Sequence, residues 1–189
     1  MPVEKVTSKQ LIEALRRKYP QLPILSEVTM EDEKEAHRNR TAQAQRSVYY
    51  KRAYDKRGLS YDAELPEGYD VTKSVTFRRI DALMWDSQQK TAVEVKISRA
   101  DFFRDTDAKR DAWKRHTHRF VYLVPKGLIK LEELPLGCGL WEYENGSITV
   151  TKKAIINKEV QDFPESMVRY FAWRAFDAEN KLQGRRTRY

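Results

Sequence analysis

Cys138 is the one cysteine in a chain of 189 residues. A single thiol excludes an internal disulfide and any cysteine-built zinc cluster. Its setting, LPLGCGLWE, reads as a small buried or loop residue. No stretch approaches the roughly 20 apolar residues that a membrane-crossing helix needs. The N-terminal MPVEKVTSKQ has no apolar segment of the signal-peptide kind, so a cytoplasmic protein is expected. Glycine and proline are sparse, at seven each, and neither occurs between Glu31 and Arg57. No internal repeat or interdomain linker shows, and 40% hydrophobic residues suit one core rather than two. A single domain over 1–189 is the expectation.

Charge is what the chain has in excess. Lys and Arg total 36 against 28 acids, a net charge of +8 with pI about 9.5. A basic balance on an already highly charged surface favours a polyanionic partner, and nucleic acid is the commonest.

SKQLIEALRRKY (8–19) places Leu11, Ile12 and Leu15 at helical spacing behind a Ser8 cap, and Pro20 and Pro23 end that helix. PILSEVTM (23–30) reads as a short strand. Residues 31–57 are helical in composition, and 58–68 read as a loop around Pro66. SVTFRRIDALMW (74–85) and TAVEVKIS (91–98) are strand-like runs joined by DSQQK. A helix follows over 99–118. RFVYLVP (119–125) is the continuous apolar run of a strand buried on both faces. Asn145-Gly146 signals a two-residue hairpin, and 164–183 form a last helix before a basic tail at about 181–189.

The informative stretch is Asp81, followed on the next strand by Glu94-Val95-Lys96. Alternate side chains of a strand share a face, so Glu94 and Lys96 project together while Val93, Val95 and Ile97 face the core. If residues 85 and 91 close the hairpin, Asp81 lies opposite Val95. A one-residue slip would put Asp81, Glu94 and Lys96 on one face. Two carboxylates at close range repel, and a divalent cation relieves the repulsion. Mg²⁺ or Mn²⁺ held by Asp81 and Glu94 would activate water and neutralise a phosphoryl group, with Lys96 orienting the nucleophile. An isolated E-x-K with an upstream Asp also reads as a solvated strand face with alternating charges.

The surrounding residues add to this reading. RRIDALMW, then AVEVKISRADFFRD, then a helix and FVYLVP resemble the PD-(D/E)XK nuclease superfamily. More narrowly, the chain resembles MmcB-like DNA repair and phage nuclease-like proteins. The matching residues are Arg78, Arg79, Asp81 and Ala82; Glu94 and Lys96; and Ser98 to Phe102. Val124-Pro125 and LP-x-G-x-GL-x-E at 134–142 extend the match. It covers roughly 8–30 and 75–156. The resemblance implies an α/β restriction-endonuclease-like core, a central mixed β-sheet flanked by helices, with a helical arm inserted at about 31–70. It implies Mg²⁺- or Mn²⁺-dependent hydrolysis of DNA in repair, recombination or phage DNA processing. The metal would sit on Asp81, Glu94 and the Val95 carbonyl. A further upstream acid is implied, for which Glu27 fits best and Glu13 competes. A further basic residue on the following helix is also implied, with Lys109 fitting better than Lys114. The 31–70 insertion departs from the family's pattern.

The insertion interleaves Arg38, Arg40, Arg46 and Arg52 with Tyr49, Tyr50 and Tyr54. Such residues neutralise phosphates and stack on unpaired bases, as an arm gripping single-stranded or branched DNA would. An arm packed against another subunit fits the same residues. Arg99, Lys109 and Lys114 are further candidates for DNA contact, and a solvated helix explains them equally. His116 and His118 have the look of a metal pair but stand where a helix closes and a strand begins. Ser98 with Asp101 reads as a helix cap. The rival function is a nuclease-like fold that binds DNA or a host protein and cuts nothing.

Overall fold

The computed structural model describes residues 6–32 and 77–184. They fall into two compact units, one of residues 6–29 and 79–165, the other of residues 30–32, 77–78 and 166–184. The residues of the inserted arm, Arg38, Arg40, Arg46, Tyr49 and Arg52 among them, lie outside the described residues, as does the end of the basic tail.

Helix α1 (Ser8–Lys18) buries Leu11, Ala14 and Leu15, and its basic last turn of Arg16, Arg17 and Lys18 complements the helix dipole. Thr7 caps it, not Ser8. The Thr7 hydroxyl accepts from the Gln10 amide at 3.3 Å, and Gln10 Oε1 accepts from the Thr7 amide at 2.7 Å. A capping box needs its glutamine three residues past the cap, and that spacing selects Thr7.

Six strands form one sheet in chain order: β1 (Ile24–Glu31), β2 (Phe77–Trp85), β3 (Lys90–Val95), β4 (Arg119–Pro125), β5 (Gly139–Glu144) and β6 (Ser147–Lys152). β2–β3 and β5–β6 pair antiparallel, while β3–β4 and β4–β5 pair parallel. The sheet is therefore mixed, as expected. The β5–β6 turn is the expected Asn145-Gly146, with φ of 49° and 84°, the left-handed pair that a two-residue hairpin requires. At Gly139 a Cβ would meet the Ala154 amide nitrogen at 2.9 Å, so close strand packing there excludes any larger residue.

Alternate residues of each strand sort to the two faces. Ala82, Met84, Val93, Val95, Val121 and Leu123 close on Leu11, Ala14 and Leu15 of α1 to make the core. The helices after β3 cover the other face.

The single helix expected over 99–118 is two: α2 (Arg99–Phe103) and α3 (Asp107–His116). Thr106 breaks the run by turning extended and accepting from the Lys109 amide at 3.4 Å, which caps a new helix. Ser98 caps α2 as expected, accepting from the Asp101 amide at 3.2 Å. The last helix, α4 (Glu165–Leu182), also matches its expectation. In the second unit, buried Asp32 accepts from Arg78 Nε at 2.9 Å, and Trp173 meets Phe176 edge to face at 5.8 Å. No helix among the described residues is long and apolar enough to cross a membrane.

Candidate active site

The hairpin closes one residue earlier than a Trp85–Thr91 pairing would have it. Trp85 stands opposite Lys90, and Ala82 opposite Val93. The turn is four residues, 86–89, because Asp86 Oδ1 accepts from both the Gln88 and Gln89 amides, at 2.8 and 2.7 Å. One further step of this register sets Asp81 opposite Glu94, with Lys96 two residues along the same face. The slip that gathers the three is thus the register the chain adopts. Asp81 Oδ2 takes the hydrogen bond of the Val95 amide at 2.8 Å, where β2 would otherwise supply a carbonyl.

Glu94 and Lys96 are buried, at 2% and 6% exposure, so this is no solvated strand face. Lys96 Nζ lies 3.0 Å from Glu94 Oε1, and Lys109 Nζ donates to the same oxygen at 2.5 Å. Glu94 Oε2 is buried with no hydrogen-bond partner among the described residues. Burial and the neighbouring Asp81 charge raise the Glu94 pKa, while Lys109 and Lys96 pull it down. Burial works against the charge on Lys96, but Glu94, Asp105 and Asp101 outweigh it and hold the ammonium above its ordinary pKa.

Behind Lys96 stands a group that sequence reasoning did not single out. Asp105, in the break between α2 and α3, puts Oδ1 3.8 Å from Lys96 Nζ and 3.9 Å from Lys109 Nζ. Its Oδ2 accepts from the Tyr122 hydroxyl at 2.5 Å. Arg110 Nη1 donates to that hydroxyl at 3.2 Å and to the Asp105 carbonyl at 3.3 Å, and Arg110 also pairs with Asp107. Burial and the bond to Asp105 push Tyr122 well above the ordinary phenol pKa, so it stays a donor. Asp101 lies 3.7 Å from Lys96 at the more exposed edge.

The other expected site residues go elsewhere. Glu27 is exposed on β1 with a φ of 52°, and its carboxylate is 3.9 Å from Arg79, two residues before Asp81. Glu13 lies on α1, which packs on the opposite face of the sheet, and pairs with Lys9 at 3.9 Å. Lys114 donates to the Leu136 carbonyl at 2.9 Å, in the loop that holds buried Cys138, so Lys109 alone of the two lysines reaches Glu94. The Arg99 guanidinium clamps Glu133, with Nη2 2.5 Å and Nη1 3.0 Å from its carboxylate oxygens. His116 Nδ1 meets the Asp162 carbonyl at 2.7 Å, and His118 Nδ1 accepts from the Lys90 amide at 3.0 Å. The two imidazoles serve the chain's own backbone. Among the described residues, no three or more Asp, Glu, His or Cys side chains are grouped as a metal cage.

No protein-family model matches the chain. No curated protein matches it either. One solved structure is similar, the "SPO1766 protein of unknown function from Silicibacter pomeroyi", at 23% identity and a TM-score of 0.42 over 56% of this chain and 70% of that one.

Proposed function

We propose that the chain is a metal-dependent nuclease that hydrolyses DNA phosphodiester bonds on a restriction-endonuclease-like core. The observation that carries this reading is Glu94. It is buried beside a second carboxylate, one of its oxygens is neutralised by two ammonium groups, and the other has no partner among the described residues. Holding like charges together out of water is costly unless something else uses them. The order helix, three strands, helices and a parallel strand supports the core assignment.

The donors fit Mg²⁺ or Mn²⁺. The carboxylates of Asp81 and Glu94 and the Val95 carbonyl are hard oxygens, and so small a set leaves positions for water and a phosphate oxygen. Bound there, the ion would supply an acidified water and neutralise charge on the phosphoryl group. The chain's own residues do the rest. Lys96, kept charged by three carboxylates, orients the attacking water and donates to developing negative charge. Lys109 holds Glu94 Oε1, which turns Oε2 free. Asp105, braced by Tyr122 and Arg110, keeps Lys96 in place against the pull of Glu94 alone. The net charge of +8 favours a nucleic-acid substrate.

Titration with Mn²⁺, followed by electron paramagnetic resonance, tests the site: binding is expected in the wild type and lost in Asp81→Asn. Labelled single-stranded, duplex, flapped and branched DNAs with Mg²⁺, Mn²⁺ or EDTA then report cleavage and its preferred substrate. A second reading is a nuclease-like fold that binds without cutting. It is favoured by the same two lysines, which neutralise Glu94 Oε1 without any ion. Salt-sensitive DNA binding with no cleavage and no Mn²⁺ site would select it.

A further inference from the structure

On the sheet face away from Glu94 there is a cavity of about 310 Å³ that the nuclease reading does not use. It opens beside the end of α1, over β3, β4, β5 and the residues after β6, within the first unit. Its apolar wall is Trp141, Tyr19, Met84 and Val121. Trp141 and Tyr19 lie with ring centroids 5.6 Å apart, tilted by 37°, and make a broad aromatic floor. Two cations, Arg119 and Lys153, line the same space, against a single acid, Asp86.

Three features give this cavity the character of a ligand site. Its volume of about 310 Å³ sits at the low end of the range for small-molecule pockets, about 300–1,000 Å³, which has room for one compact group such as a single nucleotide and not for several residues of a strand. Neither Arg119 nor Lys153 makes an ion pair within 4 Å among the described residues. Arg119 acts on Asp86 and Tyr19 from a distance, but the two cations outnumber the one acid, whereas Lys96, Lys109 and Arg110 on the opposite face are paired with carboxylates. Basic groups beside an aromatic floor are also the combination that holds a phosphate and a flat base at once, by charge and by stacking. At the rim, Asp86 offers a carboxylate to which an exocyclic amine could donate.

We propose that this cavity binds a single nucleotide, its base against Trp141 and Tyr19 and its phosphate between Arg119 and Lys153. The nucleotide is either a free mononucleotide or the phosphorylated end of a strand. The site is separate from Asp81 and Glu94, because its lining residues Val121 and Trp141 belong to the α1-side core.

Calorimetric titration of the full chain with adenosine 5′-monophosphate, adenosine and inorganic phosphate tests it. The monophosphate is expected to bind more tightly than either fragment, because it alone engages both the aromatic floor and the cations. Lys153→Glu, an exposed change, should weaken monophosphate binding by about tenfold or more, since it replaces attraction by repulsion. Arg119→Gln should weaken it too, and Lys126→Gln, at an exposed lysine that pairs with Glu144 and does not line the cavity, should leave it unchanged. Short oligonucleotides with and without a 5′-phosphate separate the two sources: a gain from the 5′-phosphate assigns the strand end, and none assigns the free nucleotide. Monophosphate no tighter than inorganic phosphate, unaltered affinity in Lys153→Glu, or loss of binding in Lys126→Gln would each overturn the proposal. Failure of cleavage by the wild type would not touch it, since this binding needs neither Asp81 nor Glu94.

Discussion

On the face toward α1, Val93, Val95, Val121 and Leu123 close on Leu11, Ala14 and Leu15. On the opposite face the residues between them, Glu94, Lys96 and Tyr122, meet Asp105, Lys109 and Arg110. The same strands build both, one residue out of phase. The apolar face gains its stability from area removed from water, which has no direction and tolerates exchange of one hydrocarbon for another. The polar face is buried at Glu94, Lys96 and Tyr122 and half-buried at Lys109, but it depends on named atoms at hydrogen-bond distance, and a missing partner leaves a desolvated charge. The first face holds the fold together; the second spends stability on an arrangement of charge.

Leu15→Ala should produce the largest stability change, a loss of about 2–5 kcal/mol for a fully buried leucine, read by urea unfolding. Cleavage per folded molecule should stay as in the wild type. Tyr122→Phe keeps the ring against Phe102 and Phe120, at 5.1 and 5.4 Å between centroids, but removes the donor to Asp105. It should cost less, about 1–3 kcal/mol, and yet lower cleavage per folded molecule, because Asp105 backs Lys96. Equal specific activity in the two variants would erase the distinction between the faces.

The smallest effect is outside both faces. Hydrogen bonds from Arg99 and from the Lys130 amide hold Glu133 at a pKa of about 2 against an ordinary 4.5. A depressed carboxyl contributes stability above its unfolded pKa, and that contribution is lost as pH falls through the folded one. The melting-temperature gap between wild type and Glu133→Gln should therefore be steady above 4.5 and close as pH falls toward about 2. A gap unchanged down to the lower limit would show that the clamp adds nothing through charge.

Much of this was legible in the sequence because period-2 alternation is a strong signal. Glu94 and Lys96 flank Val95, and the structure puts the two charged residues on one face of β3 and Val95 on the other, as the pattern requires. The hairpin register was legible only to within one residue, since the side-chain cap that shortens the turn, Asp86 on Gln88 and Gln89, could equally have been solvated. The break between α2 and α3 was hidden. Asp101, Asp105 and Asp107 look alike in DFFRDTDAKR, and only Thr106 turning extended decides that Asp105 is the one sent inward. Tyr122 was hidden for another reason. In RFVYLVP it reads as one more large apolar residue, and its hydroxyl acquires meaning only when Asp105 and Arg110 arrive from 17 and 12 residues away.

The central claim, that Glu94 and Lys96 are buried together to cut DNA, is tested most directly by cleavage of labelled DNA with Mg²⁺. Wild type, Glu94→Gln and Lys96→Ala should be compared at equal folded concentration, verified by circular dichroism. The account predicts metal-dependent cleavage by the wild type and a fall of about 10²–10³-fold or more in each variant, the scale expected for removing a preorganised charge from a transition state. Full activity in either folded variant, or cleavage that persists in EDTA, would contradict it.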